Sequence, residues 1–300
     1  MKIACGWLYT LNQYGYPPSF EDTLRGISKV AEWGFNAFEM EAIGEENLKM
    51  LWAHREELKD HVESLNLALV NFVPMLPETV SLDASLRVHA IEMFELGVEL
   101  AVMLNAQLAM TDSFEVPLHY VGGAPGTDPI RYGKSYRIKI SDDFNWDLVW
   151  KNLVSVVSQC ANIAADHQIR LALETRVGEA VSNTDAFLRL FDIVNNPNLG
   201  VVFDTGHMNA QKEILPLSVE KLKDRIFLIH ASDNDSNTNQ HLPLGEGTID
   251  WVSVLQALRK HHFEGYIALD IGDCPHLDEA YLNSKKFLEN IDYERRRADI

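Results

Sequence analysis

The chain of 300 residues is 46% hydrophobic and 23% charged, with a formal net charge of −18. That length suits one large α/β domain, the apolar fraction supplies a sizeable core, and the ordinary charge content excludes a disordered chain. The acidic field repels phosphate backbones and anionic membranes, which argues against nucleic-acid and membrane partners.

Cys5, Cys160 and Cys274 show neither CxxC nor zinc-type spacing, so the chain suits a reducing compartment. The opening MKIACGWLYT is too short and too polar downstream for a signal peptide. No apolar stretch approaches the ~18 residues of a membrane span. A cytoplasmic protein is expected.

In chain order, short β-rich apolar runs recur at 2–9, 36–43, 67–74, 106–114, 170–176, 199–206, 225–233 and 265–272. Segments of helical period separate them. In SFEDTLRGISKVAEW, Phe20, Leu24, Ile27 and Ala31 share one face, and Ser19 with Asp22 resembles a helix-start box. Segments 80–101 and 144–167 carry similar stripes, and HLDEAYLNSKKFLENI supplies a last helix. Eight strands alternating with helices imply parallel pairing and right-handed crossovers. The near-continuous apolar strands fit a sheet covered on both faces. No G-x-G-x-x-G follows the first strand, so a closed (β/α)8 TIM barrel is expected over an open doubly wound sheet. Residues 1–300 read as a single such domain.

The fourth strand is followed by a long insertion at about 115–143, rich in Gly and Pro and carrying Arg131, Lys134, Arg137 and Lys139. Such length suggests a lid over the C-terminal face, with a surface excursion or dimer arm as the alternative.

The strongest chemical signal is positional. Strand five (LALE) ends in Glu174, strand six (VVFD) in Asp204, strand seven (FLIH) in His230 and strand eight (IALD) in Asp270. A barrel brings those ends to one rim, where three carboxylates repel unless one is protonated or a cation sits among them. Hard oxygen donors plus one imidazole suit Mn²⁺, Mg²⁺ or Co²⁺ better than a structural Zn²⁺. Each residue also has a plainer explanation. Glu174 could pair with Arg176, Asp204 could cap the next helix, and His230 could be a satisfied core histidine. Four coincidences on successive strands favour the metal. The D-x-x-H spacing of Asp204 and His207 carries little weight, because Asp273 and His276 repeat it. His207, one turn past Asp204, reads as a substrate contact, with a fifth metal ligand or an exposed loop histidine as the alternatives. In the polar loop 230–251, Asp233 and His241 could face the substrate, and Gly245 and Gly247 would permit a tight turn.

These pieces together resemble the xylose isomerase-like TIM barrels, a superfamily of sugar-phosphate isomerases and epimerases that includes D-tagatose 3-epimerase relatives, inosose dehydratases and type IV apurinic endonucleases. The matching stretches are WGFNAFEM, LALET, VVFDTGH, LIHASD, LPLGEGTIDW and YIALDIG, spread over nearly the full length. The resemblance implies one divalent metal ion, Mn²⁺ first with Mg²⁺, Co²⁺ or Zn²⁺ as alternatives, held by Glu174, Asp204, His230 and Asp270. It implies His207 contacting substrate and Glu39 at the pocket floor, with Glu174 and Asp270 the candidates for proton transfer; Arg176, near which the family often has a His, and His241 are further expected substrate contacts. Where the family usually carries Glu, this chain has Asp270, one methylene shorter.

The expected activity is metal-dependent isomerisation or epimerisation of a keto-sugar or sugar phosphate through an enediolate. A lyase or dehydratase of a keto-polyol is the alternative on the same site, and a non-catalytic sugar-binding barrel the third reading. An apurinic endonuclease would want extra histidines at strands three and four, where NFVP and MTDSF offer none. The expected partner is a small carbohydrate, with a homodimer or homotetramer implied by the resemblance.

Overall fold

A computed structural model describes residues 1–121, 137–272 and 274–298, with side chains to residue 292. Eight parallel strands form the centre: β1 Lys2–Cys5, β2 Ala37–Ile43, β3 Ala68–Met75, β4 Leu108–Thr111, β5 Arg170–Glu174, β6 Leu199–Asp204, β7 Ile226–Ala231 and β8 Tyr266–Leu269. They pair in sequence order, and β1 pairs with both β8 and β2 to close the barrel. This is the (β/α)8 architecture that the alternating pattern predicts.

Every strand is covered on two sides, which explains the unbroken apolar runs. Phe38, Met40, Phe72, Leu171, Leu173, Val201, Phe203, Ile229 and Leu269 face outward and pack in the main core beneath the helices. Ala37, Val70, Leu108, Ala172, Val202, Leu228 and Ala268 fill the lumen. The period of two along each strand decides which face a residue serves. It also carries the lumen row onward to the polar positions Glu39, Glu41, Asp112, Glu174, Asp204, His230 and Asp270. A bulge between Phe38 and Glu39 sets Glu39 opposite Asn71.

The helices are α1 Leu8–Tyr14, α2 Phe20–Glu32, α3 Gly44–Ala53, α4 Arg55–Ser64, α5 Ala84–Met103, α6 Trp146–Asp166, α7 Thr184–Val194, α8 Thr205–Ala210, α9 Leu215–Leu222, α10 Trp251–Lys260 and α11 Leu277–Ala298. The Ser19 side chain caps α2 by accepting from the Asp22 N–H, as the start box predicts. None of the described helices is long and apolar enough to cross a membrane.

The first strand is shorter than its apolar run. It stops at Cys5, and residues 8 and 9 belong to α1 instead. At Gly6 the chain runs against β8, where a Cβ would lie 2.4 Å from the Leu269 carbonyl oxygen. The chain turns there, and the continuing apolar run becomes helical, a distinction that hydrophobicity alone does not make. Strand four is also shorter than 106–114, with Phe114 at φ 55° after it. In the long insertion, His119–Tyr120 pairs antiparallel with Ile138–Lys139. Arg131 and Lys134, and Asp273 of the second D-x-x-H, lie outside the described residues.

Candidate active site

Three consecutive strands deliver the centre of the site. Asp204 and His230 are cross-strand partners on β6 and β7, and Glu174 ends β5. His230 Nδ1 is hydrogen-bonded to Glu174 Oε1 and lies 3.9 Å from Asp204 Oδ2. One ligand atom from each of Glu174, Asp204 and His230 falls within 4.8 Å of the others. Beneath them, His230 Nε2 meets Glu39 Oε1 at 3.0 Å, and Asn71 Nδ2 donates to the same oxygen at 2.9 Å. Glu39 is 3% exposed and sits below the cluster, so the structure places it against His230.

Asp204 does two things at once. Its Oδ1 caps α8, accepting from the His207 N–H at 2.6 Å. Its Oδ2 is buried with no hydrogen-bond partner. An orphaned carboxylate oxygen in a protein interior costs free energy comparable to a lost hydrogen bond or more. Burial pushes the Asp204 carboxyl up to about 7, and the Glu174 charge pushes the same way. Burial also opposes an imidazolium at His230, but Glu39 and Glu174 overrule it and hold His230 well above its ordinary value. The cluster therefore draws positive charge. Two carboxylates, one imidazole and a spare oxygen fit a hard divalent cation, the donor chemistry expected from the strand ends.

Asp270 lies just past β8 and differs in its commitments. Its Oδ2 is 3.2 Å from His241 Nδ1, and it is not among the three residues whose ligand atoms converge. Burial disfavours its charge, yet the His241 contact prevails and holds the carboxyl below its usual range. Arg176 is bonded to Asp112, with Nε 3.6 Å from Glu174 Oε2 and Nη1 3.6 Å from Glu179 Oε1. The Glu174–Arg176 pairing thus coexists with the His230 contact. Burial lifts Asp112 to about 6 despite the arginine. His207 is buried, which holds its pKa well below the ordinary value, and its Nδ1 accepts from the Val177 N–H at 3.2 Å. That bond leaves Nε2 carrying the ring proton.

A cavity of about 490 Å³ opens over this cluster, lined by Glu174, Arg176, His207, His230, His241 and Asp270 on its polar side and by Leu8, Leu11, Met75 and Met110 elsewhere. A larger depression, about 640 Å³, lies beside Lys2 at the N-terminal end, the face that serves stability in such barrels. Tyr16 and Glu41 also line the site cavity. Glu41 has a signal in the sequence: it follows Glu39 by two, so the same strand aims both into the lumen.

Asp233 does not face this cavity. It is fully buried and accepts from Asn234 N, Gly245 N, Ile249 N and Trp251 Nε1 at 2.9–3.1 Å. A Cβ at Gly247 would lie 2.2 Å from Asp233 Oδ1. The L-G-E-G-T-I-D-W stretch is thus the wrapping of a buried carboxylate, which ties the loop after β7 and positions His241 beside Asp270.

A closed (β/α)8 barrel whose lumen turns polar at the C-terminal strand ends, beneath an open pocket, defines a class of protein that builds its site on that rim. Within this class the chain belongs to the xylose isomerase-like TIM barrel family, which matches residues 27–291. It is 27% identical over 261 residues to protein MJ1311 of Methanocaldococcus jannaschii, covering 83% of this chain and 79% of that protein. It is 30% identical over 122 residues to L-ribulose 3-epimerase of Methylomonas sp., covering 40% of this chain and 41% of that protein. Its fold matches the crystal structure of D-psicose 3-epimerase with D-tagatose from Clostridium cellulolyticum H10, with a TM-score of 0.74, 18% identity and coverage of 97% and 99% of the two chains.

Proposed function

We propose that the protein is a divalent-metal-dependent isomerase or epimerase of a keto-sugar or sugar phosphate, acting by proton abstraction beside a carbonyl through an enediolate. The observation that carries this reading is the convergence of Glu174, Asp204 and His230 at the base of an open pocket that Glu174 and His230 line, with one buried Asp204 oxygen unspent. The similarity to an L-ribulose 3-epimerase supports the substrate class.

Glu174, Asp204 and His230 would hold the cation, with Asp270 the fourth donor expected from the strand ends; bound there, the ion supplies Lewis acidity toward a carbonyl oxygen. Mn²⁺ is the first choice. The Glu174 carboxylate serves as base toward a carbon-bound proton, on the wall of β5. The Nε2–H of His207 donates to a substrate oxygen. Arg176, held by Asp112 and Glu179, fixes one side of Glu174. Leu8, Leu11, Met75 and Met110 exclude water from the reacting carbons. A second carboxyl, across from Glu174, returns the proton. The pocket offers two, Asp270 and Glu41.

The test is turnover by chelated and Mn²⁺-reloaded protein on ketopentoses, ketohexoses and keto-inositols in D₂O. The expected result is metal-dependent interconversion of isomers with one deuterium gained at the carbon beside the carbonyl. Loss of water with no isomer formed would replace isomerisation by dehydration. Binding without exchange would leave a sugar-binding barrel.

A further inference from the structure

We propose that Glu41 is the second proton-transfer residue, facing Glu174 across the pocket and delivering the proton to the opposite face of the substrate. This rests on the isomerase reading above and names the group that reading leaves open. Three observations carry it. First, Glu41 is on the lumen face near the end of β2, and its side chain lines the same cavity as Glu174, His207 and Arg176. Second, no hydrogen bond or ion pair joins the Glu41 carboxyl to any described residue, its backbone alone pairing in the ladder opposite Val73, whereas the Asp270 carboxylate is engaged by His241 at 3.2 Å. A partly buried carboxyl that lines a pocket and has no protein partner can turn its oxygens to a bound ligand in place of water. Third, the ring order sets β2 and β8 on either side of β1, each three strands from β5, so Glu41 and Asp270 both stand opposite Glu174. Of these two, Glu41 is the longer side chain and the unengaged one.

The protonation state agrees with the geometry. Burial pushes the Glu41 carboxyl up to about 8, with the Asp270 charge adding to it, so it holds a proton at neutral pH. A carboxylic acid kept neutral by its surroundings is a competent donor. In the proposed step Glu174 takes the proton from the carbon beside the carbonyl, and that C–H electron pair moves into the enediolate. The Glu41 proton then forms the new C–H bond on the other face as the carbonyl re-forms. Glu174 ends protonated and Glu41 ionised, and exchange with water resets both. No oxidant or reductant is required.

The experiment compares Mn²⁺-loaded wild type, Glu41→Gln, Glu41→Asp and Asp270→Asn in D₂O, on whichever ketose the wild type interconverts. Net epimerisation and deuterium exchange into recovered substrate are followed separately. Glu41→Gln is expected to lose epimerisation by about 100-fold or more while Glu174-dependent exchange with retention continues, a loss typical of a removed acid. Glu41→Asp is expected to recover part of the rate. Asp270→Asn is expected to lower exchange and epimerisation together. An unchanged Mn²⁺-induced rise in Tm verifies that Glu41→Gln keeps its fold and its ion. Epimerisation by Glu41→Gln at the wild-type rate overturns the proposal, as does finding the uncoupled signature in Asp270→Asn. If wild type shows neither exchange nor interconversion on any ketose, the isomerase reading itself falls, and the assignment of Glu41 falls with it.

Discussion

Asp204 and Asp233 are both fully buried carboxylates just past or at the end of neighbouring strands, yet they are built differently. Asp233 accepts four hydrogen bonds, three from backbone N–H groups and one from the Trp251 indole. Asp204 accepts one, keeps a second oxygen bare, and has Glu174 and His230 for neighbours. Burying a carboxylate is costly in either place. At Asp233 the loop supplies the compensation locally. At Asp204 the fold leaves Oδ2 without it, the gap that the proposed cation would fill. Unspent acceptor capacity, more than burial, separates a binding centre from a structural anchor.

The contrast breaks most visibly in activity. Glu174→Gln is expected to lower turnover by about 10³-fold or more, with chelated protein still folded, because it would remove the proposed base and ligand from a cluster already crowded with carboxylates. Steady-state kinetics alongside a melting curve check both halves. Unaltered turnover would place the chemistry elsewhere. Next in size, Asp233→Ala should cost about 3–5 kcal/mol, because four buried donors lose their acceptor. Urea unfolding reads this directly, and the surviving folded fraction should still gain Tm from Mn²⁺. A variant as stable as wild type would show that Asp233 is no anchor.

Much of this contrast is legible in the sequence, and what is not has a physical cause. Glu174, Asp204 and His230 stand out because parallel strands buried on both faces read as apolar runs, so a single ionisable residue at each end is conspicuous. The barrel follows from the same eight runs. WLY reads as strand because its apolarity continues past Gly6, whereas the chain passes too close to the Leu269 carbonyl there for a side chain and then turns into a helix. Asp233 reads as a candidate substrate contact because its donors come from residues 234–251, whose folding back is a tertiary event. The Asp270–His241 contact is hidden for the same reason. Glu41 is marked only by its spacing from Glu39, a faint signal until β2 is known to face the lumen.

A smaller effect sharpens the view of the cluster floor. Glu39→Gln keeps the shape but weakens the partner that orients His230, and should lower divalent-ion affinity about 10–100-fold. Calorimetric titration of chelated protein with Mn²⁺ measures it, and an unchanged Kd would mean that His230 needs no such support. The smallest effect is a pH dependence. Asp204 at about 7 and Glu41 at about 8 both lie above the values of unfolded carboxyls. Between about pH 6.5 and 8.5 the folded chain therefore binds more protons than the unfolded one, and the stability of chelated protein should fall as pH rises. Melting curves across that window should show a declining Tm, shallower with Mn²⁺ present; a rising Tm in chelated protein would contradict the assigned directions.

The most direct measurement is an anomalous-difference map from crystals grown with Mn²⁺. Convergence at the strand ends predicts one strong peak within bonding distance, roughly 2.0–2.5 Å, of Glu174, Asp204 and His230 together. A peak bound elsewhere, or none at these three residues under saturating Mn²⁺, would contradict it.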